Sequence, residues 1–204
     1  IVFNSNFVLL PEDKIKEKVA IVGANAVTVP VAHDLHANWY SVKMFTDKKN
    51  QYKTYDSRVE NLTFLPNLDE ETLEKDGVFD GDIVVAANRA DEDNIKIARM
   101  AKEKGVNRVI ARLSEVDSKT LTEFNEKGIE VFNSTNVHAA LMRAMIESPT
   151  VYRIMTDTKN ILYSVKVKNT HYTGRQLMDL EFIDQITVSR IKRGDEWLIP
   201  RGAT

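Results

Sequence analysis

Cysteine is absent from the 204 residues of this chain, which excludes disulfides and thiolate-held metals and fits a reducing compartment without requiring one. A surplus of either charge is absent too. Twenty-eight Lys and Arg against 30 Asp and Glu leave a formal net charge of -2, with no pull toward nucleic acid or anionic lipid. No uninterrupted apolar run approaches the roughly 18 residues needed to span a bilayer. Ile1 to Leu10 lacks a basic start and a cleavage site, so it is not a signal peptide. The chain opens on Ile1 rather than Met and reads as a piece of a longer protein. Neither a Walker loop nor a G-x-S-x-G elbow occurs, and no internal repeat or low-complexity tract is visible. What is present is ordinary for a globular protein: 43 % apolar and 28 % charged residues, in a length that fits one large domain or a domain plus a small one.

Short apolar stretches alternate with helical patterns through most of the chain, the rhythm of a parallel sheet. Strands are expected at Val19–Val22, Ser41–Phe45, Asn61–Leu65, Asp82–Ala87, Arg108–Arg112 and Ile129–Phe132. Helices are expected at Val27–Ala37, with Pro30 in the first turn, and at Leu68–Asp76, Asp91–Lys104 and Ser118–Glu126. Ser118 is the expected N-cap of the last of these, and Gly128 its stop. In Asn136–Glu147, Val137, Ala140, Leu141, Ala144 and Met145 form one helical stripe, which either packs on its own sheet or crosses to a partner subunit. After Pro149 the pattern changes. Ile161 to Lys168 alternates as a half-exposed strand, Thr173–Leu180 is expected as a short helix, and Ile186–Ile191 and Trp197–Ile199 flank a hairpin turn at Arg193-Gly194-Asp195. The expected fold is thus α/β: a Rossmann-like, doubly wound parallel sheet over 18–150, then a small β-rich α+β subdomain over 155–204 that reads as incomplete.

The strand-to-turn run Lys18-Val19-Ala20-Ile21-Val22-Gly23-Ala24-Asn25-Ala26-Val27-Thr28 is the sharpest signal. In a dinucleotide-binding unit, glycines let backbone N–H groups approach a pyrophosphate, and an acidic residue about 20 positions on holds the ribose. Only Gly23 of the three glycines is present; Asn25 and Thr28 occupy the other two places, and Asp47 stands 24 residues after Gly23. The turn is either a nucleotide site or a remnant of the fold. Asn88-Arg89 would face the same crevice, where Arg89 either meets a phosphate or pairs with Asp91 or Asp93.

In the tail, Asn169 to Gln176 combines His171, Tyr172 and Arg175, a composition suited to stacking a base and gripping a phosphate. Ile186, Arg190, Ile191, Arg193 and Ile199 mix apolar surface with guanidinium groups nearby. The plain alternative is a two-layer core with solvated arginines. Catalytic apparatus is hard to find. His33 and His36 sit three apart with no carboxylate at metalloprotease spacing, so no metal is expected. The chain is therefore read as not an enzyme; the rival class is a fragment of an NAD-dependent oxidoreductase of the saccharopine dehydrogenase type.

The whole chain resembles the RCK/KTN module, the regulator of potassium conductance built from TrkA-type N and C domains. The resemblance is carried by Val19-Ala20-Ile21-Val22-Gly23, Gly77-Val78-Phe79-Asp80-Gly81-Asp82-Ile83-Val84-Val85-Ala86-Ala87, Asp91-Glu92-Asp93-Asn94 and Arg108-Val109-Ile110-Ala111-Arg112. In the tail it is carried by Gly174 to Leu180 and by Val188 to Gly202. It implies a regulatory domain on the cytoplasmic side of the cell membrane, fused to or assembled on a potassium channel or a monovalent cation:proton antiporter. It implies a homodimer, often joined into rings, that exchanges its last Rossmann helix, with residues 1–17 as the linker to the membrane part. It implies NAD(H), ATP, ADP or AMP in the first domain, where Gly23, Asn25 and Asp47 fall on the site, and cyclic di-AMP in the second, where Ile186, Arg193 and Ile199 fall on the ligand surface. The departures at Asn25 and Thr28 shift the expected ligand toward cyclic di-AMP.

Overall fold

Val19, Ala20, Ile21 and Val22 are all buried, because β1 (Lys18–Val22) runs through the middle of a sheet covered on both faces. The computed structural model describes residues 16–156, 174–180, 188, 191–193 and 196–200. After β1 come α1 (Thr28–Ala37), β2 (Ser41–Thr46), α2 (Lys49–Tyr55), β3 (Leu62–Phe64) and α3 (Glu70–Lys75). Then follow β4 (Ile83–Ala86), α4 (Asp91–Glu103), β5 (Arg108–Leu113), α5 (Ser118–Lys127), β6 (Ile129–Asn133), α6 (Ser134–Glu147) and α7 (Pro149–Thr156). The six strands are parallel and ordered β3-β2-β1-β4-β5-β6. Their order reverses between β1 and β4, as a Rossmann-like doubly wound sheet requires.

Successive side chains of a strand point to opposite faces, and the two cores divide accordingly. Ala20 and Val22 join Phe45, Val84, Ala86, Val109 and Leu113, packed by Ile97, Ala98 and Ala101 of α4 and Phe124 of α5. Val19 and Ile21 join Val42, Met44 and Ile83, packed by Val29 and Ala32 of α1. This second face is left open toward β6. Val85 and Ile110 are half-buried there, and Phe132, in register with Arg112, is 44 % exposed. Helix α6 does not close the gap, since only Ser134 of its 14 residues is buried. Val137, Met142, Met145 and Ile146 are exposed on it.

Most boundaries follow the apolar pattern, and the differences have local causes. The N-cap of α5 is Asp117, not Ser118: its carboxylate accepts from Thr120 N at 2.9 Å and Thr120 Oγ1 at 2.7 Å. Gly128 stops that helix in the left-handed region at φ 65°, as expected. Helix α2 gives little sequence signal because it fully buries no residue, and only Tyr52 and Tyr55 of its seven residues lean on the core. Helix α7 begins at Pro149, where a proline closes nothing because a first-turn N–H has no helical partner to lose.

The chain divides into two compact units, Ile1–Tyr152 and Arg153–Thr204. In the second, β7 (Ile191–Arg193) and β8 (Glu196–Leu198) pair antiparallel with Arg193 opposite Glu196. Of the first arm expected at Ile186–Ile191, Ile191 is in β7 and Val188 is irregular, while residues 186, 187, 189 and 190 lie outside the described residues. The helix expected at Thr173–Leu180 is one 3-10 turn, Leu177–Asp179, among the described residues. The strand expected at Ile161–Lys168 lies outside them.

Candidate functional site

A doubly wound sheet collects ligands outside the carboxyl ends of its strands, at the point where strand order reverses. Here that point lies between β1 and β4. Gly23 and Asn25 follow β1, Asp47 follows β2, and Asn88-Arg89 follows β4, so the five residues singled out in the first unit stand on one rim. Two of them touch the neighbouring strand end directly. A Cβ on Gly23 would stand 2.6 Å from the carbonyl carbon and oxygen of Ala87 and 2.7 Å from Asn88 N, and Gly23 has φ 118°. Glycine is therefore dictated here by the closeness of two backbones. The Asn25 Nδ2 donates to Ala87 O at 3.1 Å, tying the turn to the end of β4.

The turn between β1 and α1 is closed on itself. Asn25 Oδ1 accepts from Val27 N at 2.9 Å and from Thr28 N at 3.2 Å. Thr28 Oγ1 accepts from Asn25 N at 3.0 Å and donates to Gly23 O at 2.6 Å. Val29 N donates to Asn25 O at 3.1 Å, the first helical bond, which makes Asn25 the working N-cap of α1. The pair is a capping box: residue N-cap holds the amides of the first turn, and the residue three positions on holds the amide of the cap. The N–H groups of Asn25, Val27 and Thr28 are three of the four that this helix start, with Ala26, offers to a diphosphate. Each already has a side-chain oxygen. As it stands, this turn does not fit a diphosphate.

The rest of the rim is polar. Asp47 contacts the Lys48 ammonium through Oδ2, while its Oδ1 is buried without a partner. That hydrogen bond, against some desolvation and aided by the charges of Asp47 and Asp93, raises the Lys48 ammonium above its ordinary pKa. Asn88 is 5 % exposed, and its Nδ2 has no partner. Arg89 is exposed, and among the described residues it forms no ion pair, so neither Asp91 nor Asp93 holds it. Asp91 is committed elsewhere, its Oδ2 accepting from Ser114 N at 2.8 Å and Glu115 N at 3.0 Å. Asn94, fully buried, was not marked by its sequence context as anything beyond a helix start.

In the second unit, His171, Tyr172, Ile186 and Arg190 lie outside the described residues. Arg175 is exposed and donates from NH2 to Asp179 O at 2.8 Å. Arg193 ends β7, and Ile199, just after β8, is 80 % exposed. His33 and His36 lie on α1, where His36 Nε2 is 3.8 Å from Glu60 Oε2. Among the described residues no group of three His, Cys, Asp or Glu is placed to hold a metal. No described helix is long and apolar enough to cross a membrane.

Residues 19–133 match the TrkA-N domain family. Over 195 residues the chain is 31 % identical to the putative Na(+)/H(+) antiporter YjbQ of Bacillus subtilis, covering 95 % of this chain and 31 % of that protein. It is 25 % identical over 193 residues to a Trk system potassium uptake protein TrkA homolog of Archaeoglobus fulgidus, covering 93 % of this chain and 44 % of that one. The chain thus spans less than half the length of either relative. The crystal structure of the TrkA-N domain of the inner membrane protein ybaL from Escherichia coli superposes with a TM-score of 0.53 at 15 % identity, covering 64 % of this chain and 96 % of that domain. At that identity it is the fold that is shared.

Proposed function

The chain belongs to the TrkA-N domain family, and from that premise we propose that it is a non-catalytic regulatory module, acting as a homodimer to gate monovalent cation (potassium or sodium)/proton transport. The observation that supports this reading best is the open face of the sheet. Parallel sheets are normally buried on both sides, yet Val85, Ile110 and Phe132 are left partly uncovered beside a helix whose apolar residues face outward. A second copy supplies what is missing. Its α6 covers the β4–β6 face of the first chain, and the exchange is reciprocal, as two-fold symmetry demands. The same contact repeated with further copies allows a ring. The membrane portion of the transporter, fused or separate, is the partner, which places the module on the cytoplasmic side of the membrane.

The ligand we assign to this module is cyclic di-AMP, held between the second units of two copies by His171, Tyr172, Arg175, Ile186, Arg190, Arg193 and Ile199. The exposure of Arg175 and Ile199 and the closed phosphate turn of the first unit both favour this placement. A ligand at a symmetric interface regulates only if it binds one dimer geometry more tightly than another. A coupling of about 1–3 kcal/mol would change gating by roughly 5–150-fold. The second reading is an adenine nucleotide at the rim of the sheet, favoured by the unpartnered buried atoms Asp47 Oδ1 and Asn88 Nδ2.

Light scattering and calorimetry on the chain test the proposal together. The expected results are a mass of two or more protomers and saturable heat with cyclic di-AMP. A lone protomer, unresponsive to cyclic di-AMP, ATP, ADP and AMP alike, would overturn it; heat with a mononucleotide and none with cyclic di-AMP would move the ligand to the rim.

A further inference from the structure

We infer that Asn25 is a specificity-determining residue that shuts the first unit against diphosphate ligands, its carboxamide standing where a phosphate would stand. Three facts place it in that role. Its Oδ1 takes the Val27 and Thr28 amides, at 2.9 and 3.2 Å. Its own amide is taken by the Thr28 hydroxyl at 3.0 Å. Its Nδ2 is anchored on Ala87 O at 3.1 Å, so the carboxamide is held at both ends and bridges the mouth of the crevice from β1 to β4.

The closure follows from hydrogen-bond capacity. An amide N–H offers one proton, and a phosphate oxygen arriving at this turn finds the Asn25, Val27 and Thr28 protons already given to neutral oxygens. Entry requires the carboxamide to swing out, breaking its three bonds, and the hydroxyl of Thr28 to release a fourth. A neutral oxygen also satisfies the amides without bringing charge, so the turn is content in the absence of any ligand. The consequence is selective. Ligands that carry two linked phosphates through the turn, such as NAD(H) or ADP, are refused; a nucleoside or monophosphate that approaches only Asp47 and Asn88 on the rim does not meet the same obstacle. This holds whether the regulatory ligand binds at the rim or in the second unit.

The test is a titration of the chain and two variants with NADH, followed by its fluorescence, with ADP as a competitor. Asn25→Gly removes the plug while leaving a residue that helix N-caps accept. Asn25→Asp keeps the acceptor oxygen and adds a negative charge, so it serves as the closed control. The expected result is no saturable NADH binding to the unmodified chain or to Asn25→Asp, and binding by Asn25→Gly at least about tenfold tighter than either. Thermal melting of each variant shows that it is folded. Micromolar NADH binding by the unmodified chain overturns the inference whatever the variants do. So does a folded Asn25→Gly that binds no better. If Asn25→Gly does not fold, exchange of the Val27 and Thr28 amides in the unmodified chain decides: amides that shift on addition of inorganic pyrophosphate overturn the closure, and unmoved amides support it. None of these outcomes bears on the dimer or on cyclic di-AMP, which light scattering and calorimetry test separately.

Discussion

Asn94 and Asn88 grip each other's polar groups: Asn88 N donates to Asn94 Oδ1 at 2.7 Å, and Asn94 Nδ2 donates back to Asn88 O at 2.9 Å. The same Nδ2 donates its other proton to Arg112 O at 2.7 Å, so one buried carboxamide in the first turn of α4 joins the ends of β4 and β5. A buried amide with all of its partners is stable; one deprived of them carries the full cost of desolvation. Asn94→Ala leaves Asn88 N and Arg112 O short of a partner, while Asn88 O keeps the Arg112 guanidinium at 3.0 Å, and is expected to lower stability by about 2 kcal/mol in urea unfolding. Asn94→Asp retains the acceptor and loses both donors, and should not recover that loss. A change below about 1 kcal/mol would show that water replaces the side chain.

At Gly23 the obstacle is backbone rather than side chain. A methyl group there meets Ala87 and Asn88 main-chain atoms at 2.6–2.7 Å, and at φ 118° a side chain is strained even in open space. Gly23→Ala is expected to cost on the order of 3 kcal/mol, measured by thermal or denaturant unfolding. By contrast Gly105, also at positive φ, has nothing within 4 Å of a built Cβ, so Gly105→Ala should be milder. Equal losses at the two positions would remove the steric explanation.

The capping box of α1 has its own stability signature. Asn25→Ala should destabilise by about 1 kcal/mol, whereas Asn25→Gly should cost only a few tenths. Melting curves that rank the two in the opposite order would count against Asn25 as the cap.

Acid weakens the α4–α5 contact. Glu123 receives Arg99 Nε at 2.9 Å and Arg99 NH2 at 2.7 Å, with Lys127 Nζ at 3.1 Å. The Arg99 hydrogen bond first, and then that of Lys127, hold the Glu123 carboxyl at about 2 instead of 4.5. A lowered folded pKa means that the contribution is complete above the unfolded value and is lost as pH falls from about 4.5 toward 2. Glu123→Gln should therefore flatten the stability profile over that interval and leave its shape near neutrality unchanged. A variant with an unaltered acid limb would show that the pair is solvated and idle.

Phe132 and Ile146 report on assembly. They are 44 % and 76 % exposed in a single chain, and neither contributes to its core. Phe132→Asp or Ile146→Asp should convert a dimer to protomers in light scattering while leaving the melting of the sheet within a few degrees. If both variants stay dimeric, the two copies meet elsewhere.

The sheet was legible in the sequence because its strands are short apolar runs separated by stop signals, and burial on both faces leaves little else that such runs can do. Val19–Val22 and Ile83–Ala86 are the plainest cases. Helix α2 was not, since in Lys49-Asn50-Gln51-Tyr52-Lys53-Thr54-Tyr55 only Tyr52 and Tyr55 mark a core-facing side, too little to read as a helix. The rim was legible in position but not in state. Against a glycine-rich turn Asn25 and Thr28 read as departures, although Asn-x-x-Thr at the head of a helix is itself compatible with a capping box. At the start of α5 the sequence points to Ser118, and only geometry shows that Asp117, one residue earlier, is the cap. Asn94 gave no warning: a polar residue in a first helical turn is ordinary until the carbonyls of Asn88, after β4, and of Arg112, in β5, are found beside it.

Because only its first residue is buried, α6 could be cut away at Asn133 without opening the core that the sheet builds with α1, α4 and α5. If α6 is the surface that meets a second copy, as proposed, the molecule separates what keeps it folded from what it uses to meet a neighbour. Evolution is free to rewrite that outer helix for a different companion, residue by residue, while the scaffold beneath keeps its melting point.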